Sequence, residues 1–158
     1  MTRTGIGYDS HRFVTGRPLV LGGQRIPHTH GLAGHSDADA VAHAVTDAIL
    51  GAAAAGDIGT HFPDSDPRWK DADSIALLRS AAALVRERGF RVAHADVTVI
   101  MERPRLAPFV PAIRAALAAA LDLAVDDVSV KAKTNEGMGF VGRGEGVAAI
   151  AVATLEAR

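Results

Sequence analysis

The sequence has 158 residues, of which 48% are hydrophobic, 17 are basic and 18 are acidic, and it contains no cysteine. A formal charge of −1 excludes the chain-wide basic field that binders of nucleic acids and of anionic membranes use. The lack of cysteine excludes disulfides, thiolate catalysis and Cys-ligated metals, so any metal must be held by His, Asp or Glu.

The apolar fraction consists largely of small side chains. Alanine accounts for 31 residues, whereas Phe, Trp and Tyr together account for seven. The length predicts a single domain over residues 1–158. Burying a Leu or Phe side chain is worth roughly 1.5 to 3 kcal/mol and burying an Ala methyl much less, so the composition predicts a thin core and favours self-association.

The N-terminal residues are expected to form part of the folded domain and not a targeting segment. The first residues lack the apolar core of a signal peptide and the Ser-rich and Arg-rich pattern of a transit peptide. No segment approaches the roughly 20 apolar residues that cross a bilayer. We therefore expect a cytoplasmic protein of bacterial type that binds neither membranes nor nucleic acids.

The predicted elements alternate between strands and helices. In chain order they are a strand (3–13), a hairpin (19–21 with 24–27), a helix (36–55), a loop (57–71), a helix (73–88), a strand (92–102), a helix (109–121) and two strands (128–134 and 147–155). Ser36 is expected to cap the first helix, with Asp39 completing a capping box and Gly56 lying just past the end. This order predicts an α/β (α+β) domain of two layers, with a mixed β-sheet and the helices on one face.

Histidines and carboxylates near the N-terminus form a candidate metal site. Asp9 and His11 lie two residues apart on the first strand, so both side chains leave the same face of the sheet. Asp39, His43 and Asp47 form a polar stripe on the first helix, from which His43 could complete the site. Two His and one carboxylate can hold zinc with one position open, as in catalytic sites. Taken singly, each residue also fits an ordinary structural role.

Other residues are suited to bind phosphate. His35 and Ser36 are expected to precede a helix N-terminus, which attracts anions. The run 137–146 contains five glycines, which permit close backbone approach, and Arg143, which suits a phosphate. Cationic, hydroxyl and carboxylate groups precede this run: Lys131, Lys133, Thr134 and Glu136. Since no Ser or Cys nucleophile is evident, the set indicates phosphoryl transfer by positioning and charge neutralisation, and hydrolysis, transfer and cyclisation all stay open.

Six motifs follow one another along the chain. They are Gly7-Tyr8-Asp9-Ser10-His11, Gly34-His35-Ser36-Asp37-Ala38-Asp39, His43-Ala44-Val45-Thr46-Asp47-Ala48, Gly56-Asp57-Ile58-Gly59, Phe62-Pro63-Asp64-Ser65-Asp66 and Phe140-Val141-Gly142-Arg143-Gly144-Glu145-Gly146. In this order they resemble the 2-C-methyl-D-erythritol 2,4-cyclodiphosphate synthase family over essentially the whole chain. The resemblance implies a phosphorus–oxygen lyase of non-mevalonate isoprenoid biosynthesis. It would cyclise 4-diphosphocytidyl-2-C-methyl-D-erythritol 2-phosphate and release CMP, as a homotrimer with active sites between subunits.

The resemblance also implies a role for each matching residue. One zinc per subunit would be held by Asp9, His11 and His43, and a magnesium or manganese ion on the substrate diphosphate by Glu136. His35 and Thr134 would be catalytic. The implied substrate contacts are Asp9, His11, His35 and Ser36 at the phosphates, Asp57, Ile58, Gly59, Phe62, Pro63, Asp64, Ser65 and Asp66 at the methylerythritol, Met101, Arg105, Leu106, Ala107, Ala132, Lys133 and Thr134 at the cytidine, and Asn135, Glu136, Phe140 and Arg143 near the diphosphate.

Two alternatives differ from cyclisation in their chemistry. A zinc-dependent phosphohydrolase would use the open metal position for water instead of a substrate phosphate. A non-catalytic trimeric protein would bind an isoprenoid diphosphate without converting it.

Overall fold

In the computed structural model, which describes residues 1–158, seven strands and five helices follow one another. The strands are β1 (Thr2–Val14), β2 (Leu19–Leu21), β3 (Gln24–Ile26), β4 (Gly31–Leu32), β5 (Phe90–Ile100), β6 (Val128–Lys133) and β7 (Gly146–Ala157). The helices are α1 (Ala40–Ala52), α2 (Ile58–His61), α3 (Ser74–Glu87), α4 (Val110–Leu121) and α5 (Gly139–Gly142). None of the helices has the length and apolar character that a membrane span requires.

Five strands form one mixed sheet in the order β4-β1-β7-β5-β6, and β2 and β3 form a separate hairpin. Only β5 and β6 run parallel, because a helical connection joins them. Helices α1, α3 and α4 pack on one face of the sheet. On β7, Ala149 and Ala151 are buried under these helices, whereas Ile150 and Val152 are 37% and 38% exposed on the other face. The predicted two-layer α/β arrangement is therefore confirmed.

The start of α1 differs from the prediction. The helix begins at Ala40, so the expected cap at Ser36 is wrong, and the capping residue is Asp39. Its fully buried carboxylate accepts hydrogen bonds from the amides of Ala42, Gly22 and Gly23, at 3.0, 2.8 and 2.7 Å. A buried carboxylate needs such donors, and the turn of the β2–β3 hairpin supplies two of them. Asp39 thus joins the hairpin to α1 and takes no part in the polar stripe.

Two further boundaries differ from the prediction. Helix α1 ends at Ala52, and the backbone turns before Gly56 through hydrogen bonds from Ala53 N to Ile49 O and from Ala55 N to Leu50 O. The expected loop 57–71 contains α2 and a single 3₁₀ turn at Pro67–Trp69. Both short helices begin at an Asp whose side chain accepts from a backbone amide.

Helix α1 lies on β1 at a distance that excludes side chains between the two backbones. A Cβ atom on Gly5 would lie 2.1 Å from the carbonyl oxygen of Ala48, and one on Gly7 would lie 1.9 Å from that of Ala44. Both distances are far below van der Waals contact, so glycine is the only residue that fits. The close approach brings His43 on α1 next to Asp9 and His11 on β1.

This packing predicts the effect of adding one methyl group. Gly7→Ala is expected to lower the free energy of unfolding by at least about 2 kcal/mol, because only a shift of the α1 backbone makes room for the Cβ. Chemical denaturation measures the loss. The matched control is Gly51→Ala near the end of α1, where the nearest atom is 3.9 Å away and alanine is the better helix former by about 1 kcal/mol. Equal stability of Gly7→Ala and wild type would contradict the proposed contact.

Candidate metal centre

Asp9, His11 and His43 meet in one partly buried cluster, as the sequence predicts. Asp9 Oδ2 lies 2.7 Å from His11 Nε2 and 3.0 Å from His43 Nδ1, and the two nitrogens lie 3.2 Å apart. Tetrahedral ligands at about 2.0 to 2.1 Å from zinc are roughly 3.3 Å apart, so the triangle needs to open only slightly to hold an ion.

The protonation of His11 makes this set suitable for a cation. His11 Nδ1 lies 2.8 Å from the carbonyl oxygen of Ala33, which can only accept, so this nitrogen carries the proton. In the neutral ring His11 Nε2 therefore presents a lone pair to Asp9 Oδ2. Two electron-rich atoms at this distance require a positive charge between or beside them, and two His with one carboxylate suit a divalent metal with an open position.

The pKa values of Asp9 and His11 show how the cluster behaves without a metal. Burial acts to raise the pKa of Asp9, but the hydrogen bonds and charges of His11 and His43 hold it below its ordinary value of 3.8. Burial acts to lower the pKa of His11, but Asp9 and the Ala33 carbonyl hold it above its ordinary value of 6.5. Without a metal, His11 therefore holds a proton beside Asp9 more firmly than a free imidazole does.

The metal-side cavity adjoins this cluster and has a volume of about 210 Å³. Nine predicted residues line it, namely Asp9, His11, His35, Ser36, His43, Ile58, Gly59, Phe62 and Asp64. Gly34, Trp69 and Leu77 also line it. Gly34 belongs to a quoted motif, but nothing in the sequence marks Trp69 or Leu77, because they reach the cavity only through the fold of the loop after α2 and of α3.

Four predicted residues of the methylerythritol group do not line this cavity: Asp57, Pro63, Ser65 and Asp66. Asp57 Oδ1 caps α2 by accepting from the amide and the hydroxyl of Thr60, at 2.8 and 2.7 Å. The Asp66 carboxylate pairs with exposed Arg68 at 2.7 Å, and its backbone carbonyl accepts from His35 Nε2 at 3.1 Å. Asp66 therefore orients a cavity residue, and Asp57 holds the helix that carries Ile58 and Gly59.

The loop before α1 carries His35 and Ser36 to the cavity. The guanidinium of Arg17 donates to the carbonyl oxygens of Gly34 and Ser36, which fixes the loop on both sides of His35. The expected anion site at the helix N-terminus is wrong, because the α1 amides are capped by Asp39, four residues further along than His35. A loop that is held by Arg17, and not a helix N-terminus, therefore presents His35 and Ser36 to the cavity.

The β5–β6 cavity, of about 870 Å³, lies where these two strands end. All seven residues predicted for the cytidine line it: Met101, Arg105, Leu106, Ala107, Ala132, Lys133 and Thr134. His28, Val99, Glu102, Arg103 and Pro104 line it as well. Glu102 also shapes the following turn, since its Oε1 accepts from Asn135 N at 2.7 Å.

Three predicted residues near the diphosphate lie outside both cavities, namely Asn135, Glu136 and Phe140, and Arg143 lines a third cavity with Arg12, His28 and Arg103. Glu136 is exposed and its amide contacts Thr134 Oγ1 at 3.3 Å. No residue lines both the metal-side and the β5–β6 cavity. Strand β7 separates β1 from β5, so one chain presents two separate sets of predicted substrate contacts.

Comparison with known proteins gives consistent matches over the whole chain. The YgbB family matches residues 2–156. The 2-C-methyl-D-erythritol 2,4-cyclodiphosphate synthase of Salinibacter ruber is 58% identical over 154 residues, which cover 98% of this chain and 98% of that protein.

Solved structures agree with this match. A 2C-methyl-D-erythritol-2,4-cyclodiphosphate synthase in a CDP-bound form superposes with a TM-score of 0.89 at 42% identity, over 98% of this chain and 100% of that chain. The bifunctional IspDF from Campylobacter jejuni superposes with a TM-score of 0.96 at 44% identity. It is matched over 100% of this chain but only 43% of its own, so the present chain corresponds to less than half of that protein.

The raised pKa of His11 predicts pH-dependent metal affinity. Below that pKa a proton must leave His11 before a metal binds, so the apparent zinc affinity should fall by about tenfold per pH unit. On lowering the pH, the fall in affinity should begin above pH 6.5, because the pKa of His11 is raised above this ordinary histidine value. Competition with a chromophoric chelator measures the affinity. His94→Gln, which alters a histidine outside the cluster, should leave the profile unchanged, and an affinity that stays flat from about pH 8 to about pH 6 would contradict the expectation.

Proposed function

The chain belongs to the YgbB family, and we propose that its metal centre and cavities carry out the cyclisation for which the matched synthases are named. The enzyme converts 4-diphosphocytidyl-2-C-methyl-D-erythritol 2-phosphate to 2-C-methyl-D-erythritol 2,4-cyclodiphosphate and releases CMP. The observation that carries this function is the Asp9, His11 and His43 cluster at a cavity that also presents His35 and Ser36.

The reaction needs no nucleophile from the protein. An oxygen of the 2-phosphate forms a bond to the β-phosphorus, while the bond from that phosphorus to the oxygen shared with the α-phosphate breaks and CMP leaves with that oxygen. The substrate supplies both reacting groups, so no side chain of the protein has to form a covalent bond to phosphorus. The chain therefore accelerates the step by holding the two phosphates in line and by balancing their charge.

We assign zinc to Asp9, His11 and His43, and magnesium or manganese to Glu136. The donor sets support this, since imidazole nitrogens suit zinc and an exposed carboxylate suits an oxygen-preferring ion. When bound, these ions polarise the phosphate oxygens and neutralise the charge that develops on the leaving group.

The side chains of the metal-side cavity are suited to the phosphate and methylerythritol portions. His35 is held by the Asp66 carbonyl, so its ring is fixed before substrate binds. The Ser36 hydroxyl faces the same cavity, and we assign both groups to the reacting phosphates. Asp57 lies outside the cavity lining and uses one carboxylate oxygen to cap α2, and we assign its other oxygen to a substrate hydroxyl. Ile58, Gly59 and the segment 62–66 complete this part of the proposed pocket.

The β5–β6 cavity is proposed to bind the cytidine. Its volume of about 870 Å³ lies within the usual range for small-molecule sites, whereas the metal-side cavity of about 210 Å³ is too small for a nucleotide. We assign Thr134, which lines this cavity, to the diphosphate, and Lys133 and Arg105 add positive charge to the lining. The structural match to a CDP-bound synthase supports this assignment.

A homotrimer would bring the two sets of contacts together. We propose that the β5–β6 cavity of one subunit faces the metal-side cavity of the next. The open sheet face supports self-association, because Ile6, Tyr8, Ile150 and Val152 lie there and are 69%, 53%, 37% and 38% exposed. Tyr8 pairs with Ile150 and Ile6 with Val152 across neighbouring strands, so the four form one contiguous apolar patch.

Neither alternative is favoured by the comparisons, and one assay separates all three. With zinc, magnesium and the diphosphocytidyl substrate, the enzyme should form a cyclic diphosphate and CMP in equal amounts. His43→Ala should remain folded and lose nearly all turnover, because a metal ligand is gone, whereas His94→Ala should keep wild-type turnover. Product chromatography and phosphorus NMR measure the outcome. Release of inorganic phosphate would support the hydrolase. Lack of turnover in the wild type, with isoprenoid-diphosphate binding that is unchanged in His43→Ala, would support the binding protein.

Subunit mixing tests whether active sites lie between subunits. His43→Ala and Thr134→Ala should each be inactive alone, since each removes one half of the site. Unfolding and refolding the two together should restore part of the activity, because some interfaces then contain two intact halves. A solution mass of three chains should accompany this result. Mixed assemblies with no activity would contradict a shared site.

A further inference from the structure

A partly buried chain of hydrogen bonds leads away from the metal side of His43. His43 Nδ1 faces Asp9, and its other nitrogen, Nε2, lies 2.7 Å from Ser74 Oγ. Ser74 is fully buried at the first residue of α3, and its hydroxyl also contacts Asp37 Oδ1. The second oxygen of Asp37 accepts from Ser74 N at 3.1 Å. Ser74 thus meets His43 at its outer nitrogen, away from the three candidate ligand atoms Asp9 Oδ2, His11 Nε2 and His43 Nδ1.

The direction of each hydrogen bond follows from counting protons. A serine hydroxyl has one proton, and an ionised carboxylate can only accept. The Ser74 proton must therefore go to Asp37. The contact between Ser74 Oγ and His43 Nε2 then needs a proton from the imidazole, so Nε2 is protonated. In the neutral ring, Nδ1 is left with a lone pair that points to Asp9 Oδ2 and His11 Nε2.

We propose that Ser74 and Asp37 are positioning residues that fix the tautomer and ring orientation of His43 for metal binding. The inference rests on the metal centre of the proposed function. Metal-ligating histidines commonly donate their outer N–H to a carboxylate or carbonyl. His11 does so directly through Ala33, and His43 does so through the Ser74 hydroxyl to Asp37. Both ligand rings are thereby set before an ion arrives.

Ser36 offers a second hydroxyl to His43 but has a different role. Its Oγ lies 3.2 Å from His43 Nε2, compared with 2.7 Å for Ser74, and it also accepts from Ala38 N at 3.3 Å. No carboxylate claims its proton, and the residue lines the metal-side cavity. Its Oγ also lies 3.4 Å from Ser74 Oγ, a long contact that leaves the Ser36 proton available to a phosphate oxygen, and the orientation of His43 depends on the closer Ser74.

The test measures zinc binding without substrate, so it is independent of cyclisation. Zinc affinity is determined by competition with a chromophoric chelator, and folding by thermal unfolding. Ser74→Ala should lower zinc affinity by about 10- to 100-fold, the usual effect of losing such a partner. Asp37→Asn should lower it in the same direction, and the double variant should lose no more than Ser74→Ala alone, because both act through one path.

Two further serine variants complete the test. Ser80→Ala, which removes an exposed hydroxyl on the same helix, α3, is the control and should bind zinc within about twofold of wild type. Ser36→Ala removes only the longer contact to His43 and should lose less zinc affinity than Ser74→Ala. Ser74→Thr, which keeps the hydroxyl, should restore most of the affinity. A loss with Ser36→Ala that equals the loss with Ser74→Ala would overturn the assignment.

Proton NMR of the zinc-loaded protein gives a readout that stability alone does not change. The His43 Hε2 resonance should be visible in slow exchange, should shift in Asp37→Asn and should be lost in Ser74→Ala. If Ser74→Ala does not fold, Asp37→Asn decides: unchanged zinc affinity with an unshifted Hε2 resonance overturns the proposal. A wild type that binds no zinc would overturn both this inference and the metal centre, whereas normal binding by Ser74→Ala would overturn only this inference.

Discussion

The backbone contact between α1 and β1 determines the geometry of the site. Side chains normally separate a helix from a sheet, but Gly5 and Gly7 remove this layer, and Ala44 and Ala48 meet them from the helix. The imidazole of His43 is short, so it reaches Asp9 only because the two backbones lie this close. The alanine content therefore has a second explanation besides a thin core: small residues allow α1 to approach the strand that carries the other two ligands.

The predictable part of the site rests on local periodicity. Asp9 and His11 share a face of the sheet because side chains alternate along a strand. The apolar repeat along α1 leaves His43 on the polar stripe of that helix, from which it can complete the site. The start of α1 could not be predicted in this way. Local capping patterns favour Ser36. The structure instead uses Asp39, because two amides of a hairpin turn, 16 and 17 residues away in sequence, donate to its carboxylate. Long-range donors decide between two caps of similar local quality.

The sequence alone also does not predict which residues contact the ligands. Ser74 follows Asp73 at the start of α3, and its pattern indicates an ordinary helix beginning. Only the packing of α3 against α1 brings its hydroxyl to His43. The seven residues that the resemblance implied for the cytidine line one cavity, the β5–β6 cavity, which shares no residue with the metal-side cavity. That separation is a property of the sheet order, in which β7 lies between them.

Strand β1 has two faces with unrelated tasks, and alternate residues serve each. Its odd-numbered positions from Gly5 to His11 receive α1 and hold the candidate ligands, whereas Ile6 and Tyr8 lie on the open sheet face. A slip of one residue in the pairing of β1 with β7 would exchange the two faces completely. The ligands would then point into the proposed subunit interface, and Ile6 and Tyr8 would collide with α1. The alternation of side chains along one strand thus couples metal binding to assembly. A slip in the pairing of β1 with β7 would disrupt both at once.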